Sequence, residues 1–258
     1  MARRPRVDFA GYHHIVNRGV NRTNIFATPQ DKEMFLAILC KSCKIYDVVT
    51  HDYCLMDNHY HILVENSKEN LSQFMRQINA NYAIYFNKKY KRTGHLWQGR
   101  FKSWYILQET YLYQTIRYIE YNPIKAKMSS EVGEYPYTLA STILGKVEII
   151  PCAKNSLMLE QYSIKELADF LNKPLSEDEI EALEEEKSKK LSKNDNEVKQ
   201  EKGKKLETYF SSSMSKMERN IAMREAYFDG YSQTSIAKEL GLTSALISYT
   251  IKNLKFDT

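Results

Sequence analysis

Two β-strand patterns separated by only two residues constrain the fold of this chain more than any other feature. Residues 48–56 and 59–65 are rich in β-branched and aromatic side chains, and Asp57-Asn58 between them is a turn signal. So short a connection predicts an antiparallel hairpin. On its second strand, His59 and His61 are two residues apart, so both side chains are expected on one face of the sheet.

The flanking segments extend this hairpin into an α+β pattern. Thr28 and Pro29 are the cap and first residue of a predicted helix, and a later helix is expected to stop at Asn122-Pro123, because proline disfavours helix in the residue before it. The predicted strands are 12–16, 48–56, 59–65 and 101–107, and the predicted helices are 29–44, 70–90 and 109–121. Their order, strand–helix–strand–strand–helix–strand–helix, indicates a largely antiparallel sheet.

Charge is distributed unevenly along the 258 residues. Residues 1–145 contain 19 Lys and Arg against 12 Asp and Glu, hence +7, whereas the remaining 18 and 20 give −2. A basic first half is expected of a protein that binds phosphate backbones. The four cysteines include no second CxxC pair and are interpreted as thiols of a reducing cytoplasm. Neither a signal peptide nor a membrane span is predicted.

Composition and patterning divide the chain into three predicted parts. Residues 1–145 form the α+β domain, 146–214 a helical connector and charged linker, and 215–258 a small all-α domain. Helices divided by Pro174 are expected between 162 and 190. The charged, non-periodic stretch 186–206 is interpreted as a solvated helix end followed by a flexible linker. In the last part, Ser232 caps a helix, Gly241 makes a turn and a second helix begins near Thr243 or Ser244, a pattern typical of a helix-turn-helix.

The histidine pair and one tyrosine form a plausible chemical unit. Two imidazoles on one strand face can hold a divalent ion, although an isolated HxH is more often a pair of polar surface residues. Tyr118 and Asn122 are four residues apart and share a helix face, so the phenol can act as nucleophile while the amide oxygen supplies a further metal ligand. A phenol has a reference pKa of about 10 and needs a metal-polarised phosphate to attack.

These motifs resemble those of the HUH endonucleases, and in particular the REP-associated tyrosine transposases, which are single-tyrosine enzymes. Four segments carry the resemblance in family order and spacing over about residues 8–130. They are YHHIVNRG at 12–19 followed by NRTNIF at 21–26, MDNHYHIL at 56–63, LWQGRF at 96–101, and YIEYNPIKA at 118–126.

The resemblance implies a ferredoxin-like antiparallel sheet with the active site on its face. It further implies that Tyr118 cuts single-stranded DNA at hairpin sites and rejoins it, through a 5′-phosphotyrosine with a free 3′-OH, and that His59 and His61 hold Mg²⁺ or Mn²⁺. Asn122 is implied as a further metal ligand, at a position where insertion-sequence relatives more often have glutamine, whose side chain is longer by one methylene. Tyr121 borders the same helix face, but the position of the motif favours Tyr118. The expected protein is cytoplasmic and nucleoid-associated, a monomer or homodimer.

Basic residues interleaved with aromatic ones are the candidates for DNA contact. In the first domain these are Arg3, Arg4, Arg18, Arg22, Lys88, Lys89, Arg92, Trp97, Arg100 and Lys102. In the helix-turn-helix they are Ser244, Ser248, Tyr249 and Lys252.

Three other functions remain compatible with the sequence. The chain could be a domesticated regulator that binds DNA without cutting, a relaxase or replication initiator on the same scaffold, or a metal-binding protein without nuclease activity. Substitution of Tyr118 by phenylalanine separates them, because only the cutting enzyme loses its covalent product.

Overall fold

The computed structural model divides the chain into two compact units, Asp8–Lys187 and a second unit that contains the residues from Ser188 onward. The residues described are 8–145, 147–161, 163–188, 191–194, 197–200, 205–211, 214–228, 231 and 233–253. No helix among them has the length and apolarity needed to cross a bilayer.

The first unit contains one four-stranded sheet and eight α-helices in its described residues. Its strands are β1 (Gly11–Arg18), β2 (Val48–Leu55), β3 (His59–Asn66) and β4 (Lys102–Ile106). Its helices are α1 (Pro29–Tyr46), α2 (Leu71–Lys89), α3 (Glu109–Glu120), α4 (Asn122–Lys125), α5 (Leu139–Ile143), α6 (Leu157–Gln161), α7 (Ile164–Leu171) and α8 (Glu177–Ser188).

The strand order is β2-β3-β1-β4, and every neighbouring pair is antiparallel. The predicted β2–β3 hairpin is therefore confirmed, and so is the strand–helix–strand–strand–helix–strand order. Since β1 pairs with β3 on one side and β4 on the other, residues distant in sequence meet across it. Val16 pairs with both His61 and Lys102.

Helices cover both faces of the sheet. On one face, Phe35 of α1 packs its ring 4.7 Å from that of Tyr60 on β3, and Tyr82 of α2 completes this fully buried aromatic core. Because side chains alternate along a strand, His59 and His61 point to the opposite face. There α3 lies against the sheet, with the ring of Tyr118 5.9 Å from that of His61.

Helix α1 begins where the sequence predicts, for the predicted reason. Thr28 is its N-cap in a capping box, Asp31 reaches back to the cap backbone, and Pro29 is the first helical residue. At the other end, Asp47 adopts a left-handed conformation with φ 57° and ends the helix just before β2. Aspartate adopts the left-handed region more readily than most residues, because its short polar side chain can form local hydrogen bonds. This conformation makes a tight connection from helix to strand possible.

Two expectations for the second half are corrected. The stretch 186–206, expected to be flexible, contains the antiparallel strands β5 (Leu191–Asn194) and β6 (Glu197–Gln200). Backbone pairing forms these strands without the hydrophobic alternation that would signal them in sequence. Residues 147–161 and 163–187 belong to the first unit rather than to a separate connector, and the contacts divide the chain at 187.

The cysteines also differ from expectation. Cys40 of α1 and Cys152 are joined in a disulfide, whereas Cys43 and Cys54 are free and buried. Nothing in the sequence indicates this pairing, because the two residues are 112 positions apart and meet only when the segment after α5 returns to α1.

The second unit has a small core of its own. Its helices are α9 (Lys216–Phe228), α10 (Gln233–Leu240) and α11 (Ser244–Asn253). Met223, Ile236 and Ile247 are fully or almost fully buried together, one from each helix. Gly241, with φ +64°, lies in the turn between α10 and α11, as the sequence predicts.

Candidate active site

His59 and His61 lie side by side on β3, with ring centroids 5.2 Å apart. The turn before them is held from two sides. The backbone N–H of Gly19 donates to the carbonyl of Asn58 at 2.9 Å, and Lys32 donates to the carboxylate of Asp57 at 3.1 Å. A Cβ on Gly19 would lie 2.2 Å from the carbonyl oxygen of Thr23, so only glycine fits at this position.

Both histidines have one ring nitrogen engaged. His59 Nδ1 lies 2.6 Å from Asn58 Oδ1, which can only accept, so Nδ1 carries the proton and Nε2 retains a lone pair. His61 Nδ1 lies 2.9 Å from Nε2 of His14 on β1. Burial lowers the pKa of His59, and it lowers the pKa of His61 well below its usual range. Both rings are therefore neutral, which is the form that binds metals.

The histidine pair could supply two ligands of a divalent ion, whose remaining ligands would not be His, Cys, Asp or Glu side chains of the described residues. Among the described residues, no group of three or more His, Cys, Asp and Glu side chains is arranged to hold a metal. An ion here would have two imidazole nitrogens from β3 and coordination positions left over for water, an amide oxygen or a phosphate. A catalytic metal needs such open positions.

Tyr118 lies over the histidines from α3. Its ring makes edge-to-face contacts with His14 and His61, with centroids 6.1 and 5.9 Å apart. The side chain is partly buried, and this burial raises the pKa of its phenol, with a smaller contribution from the charge of Glu184. Helix α3 thus brings the predicted nucleophile to the predicted metal site.

Asn122 has a visible structural role. Its amide nitrogen donates to the carbonyls of Tyr118 and Ile119 at 2.8 and 3.2 Å, so the side chain satisfies carbonyls at the carboxyl end of α3. Metal ligation through its oxygen stays a prediction. Tyr121, the alternative nucleophile, donates its hydroxyl to the carbonyl of Asn172 at 3.3 Å and does not line the cavity described next.

A basic cavity of about 330 Å³ opens in front of Tyr118. Three predicted DNA-contacting residues, Arg18, Arg100 and Lys102, line it, from the end of β1 and from the segment that leads into β4. The other lining residues are His14, Val16, Asn17, His61, Gln98, Trp104, Tyr118, Glu184 and Lys187. This combination offers cationic groups to a phosphate backbone at the tyrosine.

Other predicted DNA contacts lie outside this cavity. Trp97 donates its indole N–H to the carbonyl of Asn79 at 2.9 Å and packs against Tyr60 and Tyr82, so it contributes to the core. Lys89 forms an ion pair at 2.6 Å with Asp31, which is fully buried. These two side chains therefore have structural partners that the sequence pattern did not reveal.

The remaining candidates are dispersed. The Arg92 guanidinium lies 5.5 Å from the ring centroid of Phe86, while Lys88 and Arg22 are exposed. In the second unit, Tyr249 of α11 is 67% exposed. Arg3 and Arg4, and the side chains of Ser244, Ser248 and Lys252, lie outside the described residues.

Sequence reasoning missed two members of the site. His13 and His14 are adjacent on the strand predicted at 12–16 and so face opposite ways, and this alternation places His14 on the face of His61. Lys187 lies in a segment interpreted as a solvated helix end, yet its side chain is only 12% exposed. A histidine within a predicted strand was a usable signal for the first, whereas nothing in the sequence indicated the second.

Comparison with known proteins shows a similarity to one family of transposases. Residues 8–122 match the family model described as Transposase IS200 like. This match covers less than half of the chain, and it is a similarity to that family. The match contains both histidines, Tyr118 and Asn122, and it ends before α5–α8.

Individual proteins resemble parts of this chain. Over 131 residues, the chain is 29% identical to a protein of Haemophilus influenzae described as a REP-associated tyrosine transposase, an alignment that covers 46% of this chain and 73% of that protein. A solved REP-associated tyrosine transposase bound to a REP hairpin aligns at 18% identity and a TM-score of 0.45, over 54% of this chain and 81% of that one. A Deinococcus radiodurans structure described as a transposase aligns at 15% identity and 0.34, over 46% and 96%.

Proposed function

We propose that this chain cuts and rejoins single-stranded DNA at hairpin sites, with Tyr118 as nucleophile. The observation that carries the proposal is the position of Tyr118, whose ring lies 5.9 Å from that of His61 at the edge of a basic cavity. The name of the Haemophilus influenzae relative supports the same class of reaction.

The proposed reaction conserves the energy of the cleaved phosphodiester bond in a phosphotyrosine ester. The phenol oxygen of Tyr118 forms a bond to the scissile phosphorus, and the bond from phosphorus to the 3′ oxygen breaks. The phenol loses its proton and the departing 3′ oxygen gains one, which leaves a 5′-phosphotyrosine and a free 3′-OH. Reversal with another 3′-OH rejoins the strand.

Mg²⁺ or Mn²⁺ is the proposed cofactor, with His59, His61 and the amide oxygen of Asn122 as protein ligands. When bound, such an ion polarises the phosphate and neutralises charge on its oxygens. The chain's own residues hold the strand: Arg18, Arg100 and Lys102 line the cavity and attract the phosphate backbone. The buried, neutral histidines are available as ligands without first losing a proton.

We also propose a ferredoxin-like core for the first unit and a helix-turn-helix for the second. The strand order β2-β3-β1-β4 and the strand–helix–strand–strand–helix–strand sequence support a ferredoxin-like core. Helices α10 and α11, joined by the turn at Gly241, support a helix-turn-helix that contacts duplex DNA through α11. The proposed protein acts on DNA as a monomer or homodimer, in the cytoplasm.

A covalent-adduct experiment tests the chemistry. The purified chain is incubated with Mn²⁺ and labelled single-stranded hairpins from the flanks of its own gene, then run on a denaturing protein gel. We expect a labelled band at protein mass that disappears with EDTA and in Tyr118→Phe. The matched control is Tyr121→Phe, three residues away and outside the cavity, which should keep the band.

Two outcomes contradict the proposal. A covalent band that persists in Tyr118→Phe shows that another residue is the nucleophile. Retarded hairpin DNA without any covalent band favours the domesticated regulator, which binds DNA and does not cut it.

A further inference from the structure

Helix α8 lies beyond the residues that match the transposase family, yet it belongs to the same compact unit as the sheet. Two contacts anchor it there. Arg117 of α3, which is buried, forms an ion pair with Glu179 in the first turn of α8. One turn further on, Leu183 is buried in the hydrophobic core, with 3% exposure.

These anchors bring Lys187, near the end of α8, to the predicted nucleophile. Its ammonium lies 4.3 Å from the ring centroid of Tyr118 and 5.6 Å from that of Trp104. The side chain is 12% exposed and lines the cavity. Its positive charge also contributes to the lowered pKa of His14 and His61, after the larger effect of burial.

The charge balance of the cavity points to an anionic ligand. Arg18, Arg100, Lys102 and Lys187 line it, and Glu184 is the only carboxylate among its described lining residues. Glu184 lies one turn before Lys187, with its carboxylate 2.6 Å from the ammonium and its side chain 60% exposed. An ion pair with so exposed a partner stabilises little, so another anion can replace the carboxylate at low cost.

We propose that Lys187 binds a backbone phosphate of the DNA strand beside Tyr118, and that this phosphate replaces Glu184 as its partner. The inference rests on the proposed function, because it assumes that a DNA strand enters this cavity. It assigns a role in DNA binding to a segment outside the family-matched domain.

Salt-dependent binding tests this inference. A labelled single-stranded hairpin oligonucleotide is titrated with the full chain carrying Tyr118→Phe, which keeps the DNA uncut, and the titration is repeated with Lys187→Met added. Loss of one phosphate contact should reduce the slope of log K against log salt by about 0.7. The affinity ratio between the two proteins should then shrink by about threefold as salt rises about fourfold.

Two further variants give the test its controls. Lys165→Met, an exposed lysine of α7 outside the cavity, changes the net charge equally and should leave most of the slope intact. Glu184→Gln removes the competing carboxylate and should raise DNA affinity, the opposite sign to Lys187→Met. Since Glu184 is exposed, this variant should fold even if Lys187→Met does not.

The possible failures are distinguishable. Equal slopes for Lys187→Met and Lys165→Met, or an unchanged affinity in Glu184→Gln, would overturn the assignment of Lys187 while leaving the proposed function intact. Absence of DNA binding by the unaltered chain would overturn the proposed function and this inference together.

Discussion

His14 Nε2 lies 2.9 Å from His61 Nδ1, and this contact couples β1 to the predicted metal ligands. In a neutral imidazole only one nitrogen carries a proton. If His61 Nδ1 donates to His14, His61 presents the lone pair of Nε2, as His59 does through its bond to Asn58. Metal-binding histidines generally have such a partner for the second ring nitrogen.

Substitution of His14 should therefore weaken metal binding. We expect His14→Leu to lower Mn²⁺ affinity by about 10- to 100-fold, because His61 loses the partner that fixes its tautomer and orientation. His14→Gln should keep most of the affinity, since an amide oxygen can accept the same hydrogen bond. Calorimetric titration of the DNA-free chain with MnCl₂ measures both, with His95→Leu, an exposed histidine, as control. Unchanged affinity in His14→Leu would limit His14 to packing.

A second prediction concerns the anchor of α8. Glu179→Gln leaves the buried guanidinium of Arg117 without a charged partner, and removing one partner of a buried ion pair is strongly destabilising. The side chain of Glu179 is 28% exposed, so solvent screens part of the interaction. We therefore expect the free energy of unfolding to fall by about 2 kcal/mol, less than for a fully buried ion pair. Chemical denaturation measures it. Glu181→Gln, an exposed residue of the same helix, should cost little, and equal losses in both variants would contradict the anchoring role.

Local periodicity carried most of what could be predicted from the sequence. The two-residue spacing of His59 and His61 on a strand sets their common face, and the predicted helix that ends near Pro123 carries Tyr118. What escaped prediction depends on contacts between distant segments. His14 joins the site because β1 pairs with β3, and the register of that pairing cannot be predicted from the sequence of either strand alone.

The second half of the chain shows the same limit more strongly. A run of Glu and Lys residues near 186 has the composition of a solvated segment. Composition does not predict which of these charged side chains forms an ion pair with a buried residue. Lys187 becomes part of the cavity only because Arg117 and Glu179 hold α8 against α3. Likewise, the sequence does not reveal that Trp97 donates to the Asn79 carbonyl and that Lys89 pairs with Asp31, and DNA contact by either residue stays a prediction.

The disulfide yields a third prediction. Cys40 and Cys152 enclose a long loop, and cross-links across long loops stabilise mainly by restricting the unfolded chain. For this separation the chain-entropy model gives about 4 to 5 kcal/mol. We expect the melting temperature to fall when a reductant is added, and Cys152→Ser to melt at the reduced value with or without it. A melting temperature that does not respond to reductant would support the thiols expected of a cytoplasmic protein.

The fourth prediction concerns two buried carboxyls behind the nucleophile. Asp52 on β2 and Glu120 on α3 are both buried, and Glu120 accepts a hydrogen bond from the backbone N–H of Ala140 at 2.8 Å. Burial raises the pKa of Glu120 to about 7. Burial, followed by the charge of Glu120 and a hydrogen bond to it, raises the pKa of Asp52 well above its usual range. We therefore expect the pair to share a proton, and such a proton would join α3 to the sheet.

The sign of the resulting pH dependence follows from linkage. A carboxyl whose pKa is raised by folding contributes stability that is present below its unfolded pKa and is lost as pH rises through its folded pKa. The pair should thus lose stability from about pH 4.5 through about pH 7 and above. The buried histidines act in the opposite direction below about pH 6.5. Burial lowers their pKa, so the stability they contribute grows as pH rises from the lowered pKa toward 6.5.

Asp52→Asn separates the two effects, because its amide donates permanently to Glu120 while the histidines remain. We expect the stability of this variant relative to the unaltered chain to rise between about pH 5 and about pH 9, by on the order of 1 to 3 kcal/mol. Chemical denaturation at both pH values measures the difference. Asp169→Asn, an exposed carboxyl of α7, should show no such trend. A difference that is constant with pH would mean that Asp52 and Glu120 do not share a proton in the folded chain.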